Sequence, residues 1–165
     1  MFESRKTWIV AVLLLLAVTV GACGFQVRGT SNLPAKMERT YILADDNHSG
    51  FYQRLRDELR QADIEVVDSP ADATSIFSIL HDVTSQRVVA VSARNVPREY
   101  EVYYIVSYTI TSGQDTLMDE RTQTQTRAYT WDETKVLGKI QEEQLLRDAI
   151  VDDLVRVVMM QISTL

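Results

Sequence analysis

One cysteine, Cys23, stands alone among 165 residues, so the chain has no partner for an internal disulfide. Its fold must be held by a packed core, and the length suffices for one domain. Histidine is nearly as scarce. His48 and His81 are far apart in sequence, and neither has a second ligand at metal spacing. His81 reads as a structural residue on a strand and His48 as a polar turn residue. With six glycines and three prolines there is no Gly-rich phosphate loop and no Gly-x-Ser-x-Gly elbow. Asp45 and Asp46 precede a helix and complement its positive end, a commoner role than binding a cation. Nothing in the chain specifies a reaction, a metal or a cofactor, which points away from an enzyme. Proline-rich tracts, charge blocks and internal repeats are missing as well.

What the chain does have is a membrane-targeting start. Arg5 and Lys6 precede an uncharged, mostly apolar run at residues 8–22. About 15 residues is short of the roughly 20 needed to span a bilayer. A basic start, an apolar run and small residues before a cut site read as a secretory signal. Val20-Gly21-Ala22-Cys23 looks like a bacterial lipobox, which implies cleavage before Cys23, a diacylglycerol on its sulfur and acylation of the new amino terminus. The alternative is an ordinary signal followed by an unmodified cysteine. On the lipobox reading, residues 1–22 are a signal peptide, residues 23–34 a lipid-anchored tether and residues 35–165 a single domain. Ten extended residues reach about 35 Å at most, so the body stays close to its membrane.

Removing residues 1–22 takes away Glu3, Arg5 and Lys6. From 17 basic and 23 acidic side chains this leaves 15 and 22, a net charge of −7. That balance argues against a nucleic-acid partner, whose footprint is basic. It equally argues against attraction of the whole body to an anionic membrane, so the lipid chains must supply the anchoring.

Within the body, Tyr41-Ile42-Leu43 predicts a short strand. Phe51, Leu55, Leu59 and Ala62 recur at helical spacing and predict a helix over residues 50–62. Residues 64–67 return to an extended pattern, and a long strand is expected over residues 75–93, with Phe77, Ile79 and Val83 alternating. A loop around Pro97 follows. Tyr100, Val102, Tyr104, Val106, Tyr108 and Ile110 then share one face of the clearest strand in the chain. These aromatics read as cross-strand packing in preference to a sugar platform. After a turn at residues 112–115, the strand over residues 116–131 is unusually polar, with Thr122-Gln123-Thr124-Gln125-Thr126 at its centre, and suits a sheet edge or a wet face. Leu146, Ile150, Leu154, Val157 and Gln161, widened by Val158 and Ile162, predict a helix to the C-terminus. The order reads as α+β: one mixed sheet of four strands, or five, with two helices on one face.

This topology has a charged consequence. The loop carrying Arg94 and Arg98 lies at one end of the sheet, and the polar strand runs back so that residues 131–142 emerge beside it. Arg94, Arg98, Lys135 and Lys139 therefore converge on an otherwise acidic body and are candidates to meet phosphates or carboxylates; the plainer alternative is a set of solvated loop charges.

Cys23-Gly24-Phe25-Gln26-Val27-Arg28-Gly29, then Leu33-Pro34, Arg98-Glu99-Tyr100-Glu101-Val102, Tyr129-Thr130-Trp131-Asp132 and Glu142-Glu143-Gln144-Leu145 together resemble the LPS-assembly lipoprotein LptE family. The likeness covers residues 23–163. The polarity of the last strand and Gly138, in the segment leading to the last helix, depart from the pattern. The resemblance implies a lipoprotein on the periplasmic side of the outer membrane, a subunit of the lipopolysaccharide translocon that plugs a large β-barrel partner, LptD, and assists its assembly. It also implies lipopolysaccharide binding through a basic residue in each of two adjacent loops, roles that fall on Arg94 and Lys139; Arg98 and Lys135 join them through the basic cluster. Two rivals stay open. One is a lipoprotein that binds another envelope protein or a cell-wall polymer without a barrel. The other is a small periplasmic hydrolase, which lacks its chemistry here.

Overall fold

The computed structural model describes residues 34–165. Cys23, the signal segment and the tether up to residue 33 lie outside the described residues. Strand β1 (Arg39–Leu43) leads into helix α1 (Gly50–Gln61), and β2 (Glu65–Val67) returns beside β1. Three long strands follow, β3 (Ser75–Val91), β4 (Pro97–Ser112) and β5 (Asp115–Thr130), and then helix α2 (Val136–Ile162). The sheet has five strands in the order β2-β1-β3-β4-β5. β1 pairs in parallel with β2 and β3, and the two later ladders are antiparallel. The sheet is thus mixed, and the three-residue β2 is its fifth strand.

Both helices pack on one face around one core. From α1 come Phe51, Leu55 and Leu59, and from α2 Ile150, Leu154 and Val158. The sheet supplies Phe77, Val102, Val106, Tyr108 and Ile110. The face of β4 expected from its alternation is the one the protein buries, because successive side chains of a strand point to opposite sides. α1 begins where Ser49 caps it: its hydroxyl oxygen accepts from the Tyr52 N–H at 3.1 Å while donating to Asp82 Oδ2 at 2.6 Å. That side chain satisfies one of the otherwise orphaned amides of the first turn.

Three details differ from the sequence expectation. A bulge between Ile79 and His81 inserts one residue into β3. It reverses the alternation, so Asp82, Thr84 and Gln86 turn toward the helices, while Val83 and His81 are exposed. His81 therefore sits exposed at the surface and does not turn into the core. Pro97 opens β4 opposite Val91, the first-residue position a strand allows to proline. Finally, α2 starts ten residues before Leu146, and its buried stripe runs Ile150, Val151, Leu154, Val155, Val158 and Ile162. Val157 is only half-buried.

β5 forms one edge of the sheet, and its polar centre has a wet face. Thr122, Thr124 and Thr126 stand opposite Ser107, Ile105 and Tyr103, and the hydroxyls of Ser107 and Thr122 bond at 2.8 Å.

Candidate functional site

The β3–β4 connection is a tight turn over residues 92–96. The Ser92 N–H donates to the Val96 carbonyl at 2.8 Å and the Asn95 N–H to the Ser92 carbonyl at 2.9 Å. Asn95 takes φ 59°, a conformation that asparagine tolerates better than most residues. Arg94 is exposed in this turn, and Arg98 is exposed two residues into β4. At the same end of the sheet β5 finishes, with Glu99 opposite Thr130. The Trp131 N–H donates to the Arg98 carbonyl at 2.8 Å, which ties the exit of β5 to the residue bearing the second cation. The ladders thus bring Arg94, Arg98 and the start of α2 to one end of the body.

Asp132 organises the corner between β5 and α2. One of its carboxylate oxygens accepts from the Thr134 hydroxyl at 2.6 Å and from the Thr134 N–H at 3.0 Å. These two bonds hold its pKa below the ordinary value, with the positive charges of Lys135 and Lys139 adding to the effect. Lys135, exposed, reaches the same carboxylate at 3.8 Å.

Lys139 differs from its expected setting. It lies in the first turn of α2, not in a loop, and its side chain is only 17% exposed, with Nζ 2.6 Å from Glu142 Oε2. Local sequence hides this helix start. Lys135 occupies the N-cap position without a side-chain bond, and Gly138 costs about 1 kcal/mol against alanine within a helix. The apolar residues Val136, Leu137 and Ile140 face solvent, so they do not extend the buried stripe.

A polar and aromatic clamp holds this first stretch of α2 on the hairpin. Tyr100 stacks on Tyr129 and meets Trp131 edge-on, with centroids 5.8 and 5.6 Å apart. The Tyr129 hydroxyl lies 3.1 Å from Glu143 Oε2 and 3.0 Å from Gln86 Oε1. Arg147 donates to Glu143 at 2.7 Å and to the Thr84 hydroxyl at 2.5 Å. Burial, reinforced by the Glu143 carboxylate, pushes the Tyr129 pKa up to about 12. Sequence reading placed these aromatics in packing but missed the clamp, whose members are scattered over four elements, β3, β4, β5 and α2. It also missed the uncovered aliphatic residues around the turn and the helix start.

The arrangement exposes two guanidinium forks on an acidic protein, while its two ammonium groups already face the carboxylates of Asp132 and Glu142. Arginine suits phosphate because its planar fork donates two parallel bonds, whereas lysine acts as a point charge. Elsewhere, His81 and Asp82 line a shallow open depression with Asp45 and Asp46. Among the described residues no three His, Cys, Asp or Glu side chains are grouped to hold a metal ion.

The sequence model of the LptE family, described as lipopolysaccharide-assembly, matches residues 37–162. The chain belongs to the LptE family. It is 28% identical over 110 residues to the LPS-assembly lipoprotein LptE of Yersinia enterocolitica, covering 65% of this chain and 53% of that one. To the protein of the same name from Pectobacterium atrosepticum it is 32% identical over 81 residues, 49% of this chain and 40% of the other. The chain thus spans about half the length of the curated relatives it matches. Among solved structures, the uncharacterized lipoprotein B from Nitrosomonas europaea superposes with a TM-score of 0.71 at 26% identity, covering 85% of this chain and 90% of its own. The minor lipoprotein from Acinetobacter baumannii shares the fold, with a TM-score of 0.63 at 19% identity over 78% of this chain and 92% of its own. No helix among the described residues is long and apolar enough to cross a membrane.

Proposed function

We propose that this LptE-family chain is a non-enzymatic lipoprotein of lipopolysaccharide assembly. Cys23, acylated, anchors it to the periplasmic side of the outer membrane. Its body seats inside an LptD-like β-barrel and assists that partner's assembly. During insertion at the cell surface, Arg94 and Lys139, flanked by Arg98 and Lys135, meet the phosphates of lipopolysaccharide. The observation that carries the reading is the placement of the Arg94 turn and the first turn of α2 at the same end of an acidic body.

The chemistry follows from the setting of each cation. Arg94 and Arg98 are exposed and present forks to an arriving phosphate. Lys139 is held by Glu142, so a phosphate must share it with, or take it from, that carboxylate. Asp132 keeps its negative charge and holds Lys135 close by. The polar edge strand β5 suits the same role, since the lumen of a transmembrane barrel is polar and a hydroxyl and amide surface can hydrogen-bond its wall.

The test is purification of the intact lipoprotein in mild detergent, with the co-purifying proteins identified by mass spectrometry and lipopolysaccharide assayed. The expected result is a large β-barrel in fixed ratio with the chain. Recovery of a periplasmic protein or cell-wall polymer with no barrel would replace this reading with that of an envelope-binding lipoprotein.

A further inference from the structure

The basic end also leaves aliphatic side chains uncovered. Val88, Val89 and Val91 of the hairpin and Val136, Leu137 and Ile140 of α2 are all exposed, Leu137 at 80% and Ile140 at 56%. The two groups run out at the same end of the body. The Tyr129 hydroxyl, within 3.1 Å of both Gln86 and Glu143, marks a common level on β3 and α2. From Gln86, two residues along β3 lead to Val88, opposite Tyr100. From Glu143, one turn back along α2 leads to Ile140 and Lys139. Two strand residues advance about 6.6 Å and a helical turn about 5.4 Å, so the tips stay level as they run out.

An exposed aliphatic patch on a folded protein marks an interaction site. This one is interleaved with cations: Arg94 lies in the turn between Val91 and Val96, and Leu137 between Lys135 and Lys139. A polar, water-filled lumen offers such side chains nothing. The complement of the patch is a molecule carrying phosphates and hydrocarbon together. We infer that the uncovered aliphatic side chains of the hairpin tip and the first turns of α2 take the acyl chains of the lipid whose phosphates the basic residues meet. The inference rests on the proposed lipopolysaccharide contact and extends it from a headgroup site to one that grips both parts of the amphiphile.

The experiment uses the full, lipid-modified chain in phosphatidylcholine nanodiscs, titrated with lipopolysaccharide and with the same material stripped of its acyl chains by alkali. Three proteins are compared: wild type, the pair Leu137→Gln with Ile140→Gln, and Arg94→Asp. Wild type should bind the acylated ligand roughly tenfold or more tightly than the deacylated one. The glutamine pair should erase that preference and leave deacylated binding unchanged. Its thermal midpoint should match wild type, since both side chains are exposed. Arg94→Asp should weaken both ligands. Equal wild-type affinity for the two ligands would overturn the inference, as would a glutamine pair that binds acylated ligand like wild type; the patch would then belong to a protein partner. If Arg94→Asp changes neither titration while the glutamine pair loses its preference, the acyl site stands and the phosphate contact alone fails.

Discussion

Replacing Leu154 by alanine should cost far more stability than replacing Val157, three residues along the same helix. Leu154 is fully buried against both α1 and the sheet. Truncating a leucine in such a site removes its transfer energy and leaves a cavity, together about 2–5 kcal/mol. A domain of this size is stable by about 5–15 kcal/mol in total. At about 3–5 °C per kcal/mol for an intermediate domain size, the midpoint should fall by roughly 6–25 °C. Val157 is only half-buried, and its loss should cost about 1 kcal/mol or less. Leu154→Asp adds an unpaired buried carboxylate and should prevent folding. The assay is thermal unfolding of the purified full chain in mild detergent, followed by far-ultraviolet circular dichroism. A Val157→Ala midpoint at or below that of Leu154→Ala would refute the buried stripe and restore the register suggested by sequence spacing.

Three further outcomes are expected. Ser49→Ala removes the cap on the Tyr52 amide and a partner of Asp82, and should lower stability by about 1–2 kcal/mol in a denaturant titration; no change in midpoint would count against the cap. Burial raises Tyr108 from its ordinary 10.0 to about 12, so the neutral phenol is favoured in the folded state. Its contribution is therefore complete below pH 10 and is lost between about pH 10 and 12; Tyr108→Phe should flatten that part of the alkaline profile, and an identical profile would contradict the linkage. Cys23→Ala should abolish incorporation of a palmitate analogue, and a variant still labelled would disprove the lipid assignment.

How much of this was legible in the sequence varies with what each segment packs against. β4 is buried on one face through most of its length, so its alternation of Val102, Tyr104, Val106 and Tyr108 named the core side directly. α1 was equally clear, because Phe51, Leu55 and Leu59 pack on the sheet while charges cover the rest. The β3 alternation failed after Ile79, since a one-residue bulge reverses the side chains up to the next irregularity at Val88 and no proline or glycine marks it. The start of α2 failed because its apolar residues Val136, Leu137 and Ile140 face solvent, and periodicity reports a buried face and not a helix as such. That error moved Lys139 from a supposed loop into a helical turn beside Glu142. At the basic end, the placement of the β3–β4 turn and the start of α2 at the same end of the sheet followed from strand order alone. The clamp of Tyr129, Glu143 and Arg147 did not, because it joins side chains distant in sequence.

The central claim is that the basic end meets lipopolysaccharide phosphates. Its most direct measurement is a titration of the purified chain with lipopolysaccharide, wild type against Arg94→Asp combined with Lys139→Gln, at low and high salt. Glutamine is chosen at position 139 because aspartate would sit against Glu142 in the helix. Each charge-assisted bond lost is worth about 1.5–3 kcal/mol, so affinity should fall at least about tenfold. Wild-type binding should itself weaken with salt, as exposed charges are screened over about 10 Å at 0.1 M, and the double variant should lose most of that salt dependence. Equal affinities and equal salt dependence would contradict the claim and return these four cations to the role of solvated surface charges.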